Sequence, residues 1–229
     1  SRPVFVLSPS LESIPTSRYP TPMWTTQQEL KRSPGKAKLL DAALRVIREK
    51  GYSATTVDDL CGAAGLTKGA FFHHFRSKEE LAIAAAEHWS ETTGAFFAAA
   101  PYHDHGDPLD RVFAYVDFRK SILQGAVPEF TCLVGTMVQE TYKSHPAIRD
   151  ACNASITGHA ASLVADISAA EKQHRVTLPM GAESLALHTQ AVIQGAFVLA
   201  KAGNDVAIAA DSIDHLRRYI GLLFQRKEK

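Results

Sequence analysis

Three basic side chains lie in a short stretch that contains no acidic residue. Lys68, Arg76 and Lys78 fall within residues 67–78, beside a threonine hydroxyl and two histidines. Ammonium and guanidinium groups bind phosphate oxygens, and the free backbone N–H groups at the start of a helix bind the same ligand. The stretch therefore suits contact with the phosphate backbone of a nucleic acid.

Two short predicted helices position this stretch. Thr56 is a favourable N-cap, and Asp59 completes the Ser/Thr-x-x-Asp/Glu pattern of a helix start. Gly65 predicts the end of that helix because glycine readily takes the left-handed conformation, and Thr67 caps the next helix. Two helices joined by about three residues that include a glycine are typical of a helix-turn-helix.

The second of these helices has two different faces. Phe71 and Phe75 are four residues apart, so both can face a core, which directs Phe72 and His73 elsewhere. Gly69 near the helix start leaves room for the close approach of another backbone. This helix is therefore the predicted contact surface.

A longer ordered pattern surrounds the two helices. It consists of Leu40, Ala43, Gly51, Thr55, Thr56, Val57, Leu60, Ala63, Ala64, Gly65, Thr67, Lys68, Gly69, His74, Phe75, Ser77, Lys78, Glu79, Glu80 and Leu81. With these residues, the region from about 36 to 82 resembles the DNA-binding domain of TetR-family transcriptional regulators.

The resemblance implies roles for individual residues. It implies phosphate contacts from Thr56 and Lys78, and base and backbone contacts from the second helix. The family usually has Tyr where this chain has Phe72, which cannot donate a hydrogen bond but can press on a sugar or a thymine methyl group. His74 is expected to support the helix or a phosphate contact rather than to read a base. The complete predicted DNA-binding set is Thr56, Thr67, Lys68, Gly69, Phe72, His73, His74 and Lys78.

Composition bounds the remaining possibilities. The chain has 229 residues and a net charge of +1, so any nucleic-acid surface must be local. Residues 31–50 carry seven basic and two acidic side chains, which without the adjoining motif also fits a solvated helix face. The three cysteines are scattered and fit a reducing compartment, and no apolar run is long enough to cross a membrane. We therefore expect a cytoplasmic protein.

The segment Ser1–Pro34 differs from the rest of the chain. It carries six prolines among Ser and Thr and shows no helical periodicity, so we predict a flexible extension. It lacks the basic start, apolar core and cleavage site of a secretory signal. Its basic end, Lys31 to Lys36, could reach a DNA groove as basic arms do in other helix-turn-helix proteins.

From Gly35 onward, helical periodicity predicts an all-α fold of about nine helices, because no segment alternates like a strand. The sixth is expected over 130–142, the seventh over 146–173, and the last two over 182–202 and 205–225. We predict three parts: the extension (1–34), a helix-turn-helix domain (35–82) and a helical effector-binding and dimerisation domain (83–229).

The last two predicted helices are each apolar on two sides, so other helices of the chain or of a partner must pack against both sides. Gly195 and Ala196 would let another helix approach closely, and Ile213, Leu216, Ile220 and Leu223 form one stripe. The resemblance implies that these helices build a four-helix homodimer interface. The alternative is a core within the single chain.

By the same resemblance, residues 90–175 should hold a site for a small-molecule effector. Three side chains are favoured as its lining because polar neighbours at 119, 139 and 140 could orient a ligand. They are Phe118, Met137 and Tyr142.

Catalysis is the function that the sequence supports least. His103, Asp104 and His105, with His145 or His159, could bind a metal or act as a base, but proline and glycine flanks mark an exposed turn. The chain lacks HExxH, a Gly-rich phosphate loop and a Gly-x-Ser-x-Gly elbow. We expect no cofactor, no metal and no catalysis.

The sequence therefore predicts a ligand-responsive regulator, a repressor released from a palindromic operator by a small-molecule inducer. The alternative, favoured only by Phe72, is a related small-molecule-binding protein that no longer binds DNA.

Overall fold

The computed structural model describes residues 33–226, and the elements within that range are helices joined by turns. The prediction of an all-α fold is confirmed, whereas the predicted extension lies almost wholly outside the described residues. Between residues 33 and 226 no helix combines the length and apolar character needed to span a bilayer. The helices are α1 Pro34–Lys50, α2 Val57–Ala64, α3 Lys68–His74, α4 Lys78–Ala98, α5 Pro108–Ser121, α6 Val127–Phe130, α7 Leu133–Thr141, α8 Pro146–Ala161, α9 Val164–His174, α10 Gly181–Gly203 and α11 Val206–Leu223, with a 3-10 turn at Pro101–Asp104.

Two predicted helices have different bounds in the structure. The helix expected over 130–142 begins later, as α7 at Leu133, because Thr131 is extended and the Cys132 sulfur accepts a hydrogen bond from the Gly135 amide as the cap. The helix expected over 146–173 becomes α8 and α9. There the Leu163 amide bonds three residues back to Ala160, and the turn buries Leu163 in the core. No proline or glycine stands at Thr131–Cys132 or at Ser162–Leu163 to mark these changes in the sequence.

The helix-turn-helix domain shares its core with later helices. Buried residues of α1 to α4, such as Leu40, Phe71 and Leu81, form one cluster with Met137 of α7 and Ile148 of α8. A second cluster joins the 3-10 turn, α5 and α9 to α11. The boundary predicted at residue 82 is therefore not a gap in packing, so movement of α1 or α4 must disturb α7 and α8.

Helices α10 and α11 each carry two apolar faces. Their inner faces are buried, and on α11 Ile213, Leu216 and Ile220 point into the second core. Other large apolar side chains of the two helices are exposed, and we call them the outer face: Leu187, Val198 and Leu199 of α10 with Tyr219 and Leu222 of α11. Gly195 opens onto solvent, whereas Ala196 is buried. The stripe predicted on the last helix thus serves the core, and different residues face outward.

Candidate nucleic-acid interface and ligand cavity

Reciprocal caps fix the start of α2. The Thr56 hydroxyl accepts from the Asp59 amide at 3.1 Å, and the Asp59 carboxylate accepts from the Thr56 amide at 2.9 Å. Lys50 donates to the same carboxylate at 2.6 Å. This ammonium contact, followed by the hydrogen bonds from Thr56, lowers the pKa of Asp59 to about 2. The predicted capping box is confirmed, and Gly65 ends the helix at a φ of 64°.

Helix α3 separates a buried face from an exposed one, as the spacing predicts. Phe71 and Phe75 are buried, whereas 55% of Phe72 is exposed and His73 lies on the same open side. A Cβ atom at Gly69 would meet only the Thr67 hydroxyl, at 3.7 Å. Packing within the chain therefore does not require a glycine at this position.

Lys68 extends from the start of α3 toward α2. Its ammonium lies 2.9 Å from the Asp58 carboxylate, and both side chains are largely exposed. The hydrogen bond to Asp58 raises the pKa of Lys68, so the side chain stays cationic. An exposed pair of this kind is worth little in water, so a phosphate can replace Asp58 as its partner.

His74 and Lys78 face inward rather than outward. A Cβ at Gly35 of α1 would lie 2.6 Å from His74 Nε2, so His74 packs against α1. The Lys78 ammonium donates to the carbonyls of Tyr52 and Thr55 at 3.0 and 2.9 Å and lies 4.3 Å from the Tyr52 ring centre. These bonds use the ammonium within the protein, so the free structure lends no support to the phosphate contact predicted for Lys78.

The loop of residues 51–56, which joins α1 to α2, is held from both sides. While Lys78 binds its carbonyls, the Glu140 carboxylate of α7 accepts from the amides of Tyr52 and Ser53 at 3.2 and 2.7 Å. Gly51 has a φ of 84°, and a Cβ there would lie 2.3 Å from Glu140 Oε1. Only glycine satisfies both constraints, which explains the residue that the sequence pattern singled out.

A second connection joins the end of α1 to α6 and α10. Arg48 donates to the Glu129 carbonyl at 2.7 Å, and the Lys201 ammonium donates to the Arg48 carbonyl at 3.2 Å and to the Thr136 hydroxyl at 2.6 Å. Burial lowers the pKa of both Arg48 and Lys201. The helix-turn-helix domain is thus tied to α6, α7 and α10 by hydrogen bonds as well as by its shared core.

A cavity of about 790 Å³ lies where these elements meet. Its walls come from the helix-turn-helix side, through α1 and α4, and from α5, α6, α7, α8 and α10. The lining residues are Ala37, Asp41, Leu44, Arg48, His88, Trp89, Thr92, Thr93, Phe96, Phe97, Arg119, Ile122, Glu129, Phe130, Cys132, Val134, Ser155, Ile156, His159, Gln190, Gln194 and Phe197. The volume is within the range of drug-sized ligand sites.

A polar group of side chains stands among the apolar walls. The Gln190 amide donates to the Tyr115 hydroxyl at 3.0 Å, and that hydroxyl lies 2.9 Å from His159 Nε2. Burial, and then the charge of Arg119, lowers the pKa of His159 to about 3, so its imidazole is neutral. The Arg119 guanidinium lies 5.1 and 5.7 Å from the ring centres of Phe97 and Phe197.

None of the three residues predicted to line the effector site borders this cavity. Phe118 packs behind the wall against the rings of Phe96 and Phe97, Met137 is fully buried in the first core, and 61% of Tyr142 is exposed. The structure therefore does not bring the three together. The polar neighbour Arg119 does line the cavity, together with Trp89, Phe96, Phe97, Phe130 and Phe197.

The histidines considered for metal binding or catalysis are separated by their partners. His103 bonds to the Phe97 carbonyl at 3.0 Å, while His159 pairs with Tyr115. Across residues 33–226, no group of three His, Cys, Asp or Glu side chains is arranged to hold a metal ion.

Two family models cover most of the helical region. Residues 39–85 match the bacterial regulatory proteins of the tetR family, and residues 108–216 match the tetracyclin repressor-like C-terminal domain. The chain is 52% identical over 50 residues to the transcriptional regulator CymR of Pseudomonas putida (22% of this chain, 25% of CymR) and 44% identical over 50 residues to the transcriptional repressor KstR2 of Rhodococcus jostii (22% and 24%). It spans less than half the length of the curated relatives it matches.

The fold has a close counterpart among solved structures. The regulatory protein TetR from Rhodobacter sphaeroides superimposes with a TM-score of 0.72 at 23% identity, over 83% of this chain and 98% of that one. That likeness concerns the fold, whereas the family models match sequence in both halves of the chain. The protein belongs to the tetR family of bacterial regulatory proteins.

Proposed function

We propose that this protein is a transcriptional repressor that binds a palindromic DNA operator and leaves it when a small molecule occupies the cavity. The observation that carries the proposal is the position of the cavity, since α1 and α4 of the helix-turn-helix domain form part of its wall. The family membership and the repressor named among the relatives support the same function.

The proposed DNA contacts come from the exposed side of α3 and the start of α2. Lys68 supplies a cation, Phe72 an apolar contact for sugar or a thymine methyl group, and His73 a group able to read base edges. Thr56 and Thr67 are the N-caps of α2 and α3, and the N-termini of these helices would face phosphates. In this arrangement His74 and Lys78 act indirectly, since they fix the position of α3 and of the loop 51–56.

Two copies of the chain are proposed to bind together. One short helix reads only a few base pairs, so a two-fold dimer with recognition helices about 34 Å apart or more gains affinity from a palindrome. The outer face of α10 and α11 supports this arrangement, because its exposed leucines and open Gly195 can pack against the same helices of a second copy.

Release from DNA is proposed to be a shift between two conformations. A ligand lowers operator affinity only to the extent that it prefers the conformation with wrongly spaced recognition helices. A molecule in the cavity touches α1 and α4 directly; α1 connects to α10 through Lys201, and the loop 51–56 that follows α1 connects to α7 through Glu140. Ligand contacts can therefore alter the placement of α3.

The proposal is tested by selection from a random DNA duplex pool at moderate salt. We expect the purified dimer to retain a palindrome, and a His73→Ala variant to retain an altered sequence. If protein that has been stripped of ligand and correctly refolded enriches no sequence, the proposal that it regulates transcription by binding DNA is wrong. A small-molecule-binding protein that does not bind DNA is then the better description. Phe72, which lacks the hydroxyl usual in the family, is the feature that favours this second candidate.

A Gly69→Ala substitution should affect folding and DNA binding in opposite directions. The fold has space for the methyl group, so stability should rise by up to about 1 kcal/mol. If DNA approaches this backbone closely, operator affinity should fall about tenfold or more, which is ~1.4 kcal/mol. Thermal unfolding and fluorescence anisotropy measure the two effects.

Gly94→Ala is the matched control, because Gly94 also lies at an exposed position within a helix, with open space where its Cβ would be. It should raise stability and leave operator affinity unchanged. If Gly69→Ala and wild type bind the operator with equal affinity, Gly69 is not part of the DNA interface.

A further inference from the structure

We propose that the effector is an organic anion: an apolar, ring-bearing molecule whose single carboxylate or sulfonate binds Arg119 inside the cavity. This inference rests on the proposed function only in treating the cavity as the effector site. The ligand class itself is argued from the charges and rings that line it.

Arg119 is a buried cation without a counter-ion. Only 9% of the residue is exposed, and its Nε lacks any hydrogen-bond partner. Among the described residues no carboxylate pairs with this guanidinium; its near neighbours are the rings of Phe97 and Phe197. A buried charge is costly unless it is paired and hydrogen-bonded, so an anion placed here gains a partner that the chain does not supply.

The other charged groups of the cavity are already engaged. Asp41 contacts His88 at 3.3 Å and is 71% exposed, so it lies toward the solvent side. The Glu129 carboxylate accepts from the Ala126 amide at 2.8 Å. Arg48 donates to the carbonyls of Leu44 and Glu129, both at 2.7 Å. Neither acid therefore neutralises Arg119.

The neighbours of Arg119 are neutral hydrogen-bonding groups. Since Gln190 donates to the Tyr115 hydroxyl, that hydroxyl is left to donate to His159 Nε2, which assigns the remaining imidazole proton to Nδ1. Burial raises the pKa of Tyr115 and lowers that of His159, so neither carries charge at neutral pH. This end of the cavity thus offers one cation and neutral donors, which suit an oxyanion and repel an ammonium group.

The rest of the lining fixes the body of the ligand. Five aromatic side chains line a volume much larger than a simple inorganic anion: Trp89, Phe96, Phe97, Phe130 and Phe197. Phosphate or sulfate would leave these walls uncovered, whereas an aromatic body would displace water from them. Charge and shape therefore point to the same amphipathic class.

The test uses two fluorescent probes that differ only by charge: anilinonaphthalenesulfonate and phenylnaphthylamine, which is the same molecule without the sulfonate. Energy transfer from Trp89, which lines the cavity, reports probe binding in a Trp24→Phe background, and the Arg119 variants show whether the probe lies in the cavity. Wild type should bind the anionic probe on the order of 10- to 100-fold more tightly, the range of a charge-assisted hydrogen bond. Arg119→Met should abolish this preference without changing the affinity for the neutral probe by more than about threefold.

Arg149→Met removes an exposed cation on α8 and should keep the preference, as should Arg119→Lys, which retains the charge inside. Equal affinities for the two probes in wild type would overturn the inference, and this outcome needs no variant to fold. A preference that survives in folded Arg119→Met would overturn it equally. The probe experiment contains no DNA, so a negative result in it does not contradict operator binding. A negative result in the operator selection likewise does not contradict the proposed ligand class.

Discussion

A Leu199→Glu variant will be monomeric and will lose operator affinity by about 100-fold or more, since loss of the second half-site removes half of the DNA contacts. Leu199 belongs to the outer face of α10 and α11 and is 55% exposed. In a two-fold dimer its carboxylate replacement would be buried without a partner, which costs several kcal/mol. Sedimentation velocity gives the oligomeric state, and fluorescence anisotropy on the selected palindrome gives the affinity.

The matched control is Met180→Glu, which adds the same charge at a 78% exposed position where α10 begins. It should remain dimeric and bind the palindrome as wild type does. Met180→Glu should unfold at nearly the wild-type temperature, whereas the Leu199→Glu monomer should keep its helical circular dichroism but unfold at a lower temperature, because it has lost the stabilisation that dimerisation adds. A dimeric Leu199→Glu protein would show that the outer face is not the interface, and would favour the reading in which these helices serve only their own chain.

A Glu140→Ala variant will bind DNA but will no longer respond to ligand. Glu140 is the residue of α7 that accepts the Tyr52 and Ser53 amides, so its loss removes the hydrogen bonds that join the loop 51–56 to the effector half, while the Arg48 and Lys201 contacts remain. Coupling between two sites is typically 1–3 kcal/mol, and we expect the roughly 5- to 150-fold effect of ligand on operator affinity to fall below about twofold. The measurement is operator affinity with and without a ligand that releases wild type.

The control for Glu140 is its neighbour Gln139, whose amide donates within α7, to the Gly135 carbonyl at 2.8 Å. Gln139→Ala should keep the full ligand response. Thermal unfolding should show a loss of about 1 kcal/mol per removed amide bond in Glu140→Ala, the usual net value of such bonds. An unchanged ligand response in Glu140→Ala would mean that coupling runs through α1 and α4 alone.

Local patterns in the sequence predicted the DNA-facing half well. The capping box of Thr56 and Asp59 and the buried pair Phe71 and Phe75 depend on residues three or four apart, so their chemistry is fixed before the chain folds. The exposed side of α3 then follows by elimination. Lys78 shows the limit of this reasoning, because its direction depends on carbonyls 23 and 26 residues away.

The helix breaks show a second limit. Periodicity continued through residues 130–142 and 146–173, but the first helix begins only at Leu133 and the second is interrupted at Ser162–Leu163, in both cases without a proline or glycine at that point. The apolar stripe decides that a segment is helical, whereas packing of Leu163 and the cap at Cys132 decide where one helix stops and the next begins.

By itself the sequence determined the all-helical fold, the helix-turn-helix and the two-sided apolar character of the final helices, because these rest on spacing within single elements. The sequence also named Arg119 as a polar group that could orient a ligand, and it contained a sign that this side chain is buried. Val112, Tyr115, Val116 and Arg119 recur at helical spacing, so Arg119 continues a buried stripe. Only the tertiary structure shows that Arg119 lines one cavity together with His159, Gln190 and Phe197, beside α1. These residues come from different helices, and their separation along the sequence does not determine the distance between them in the fold.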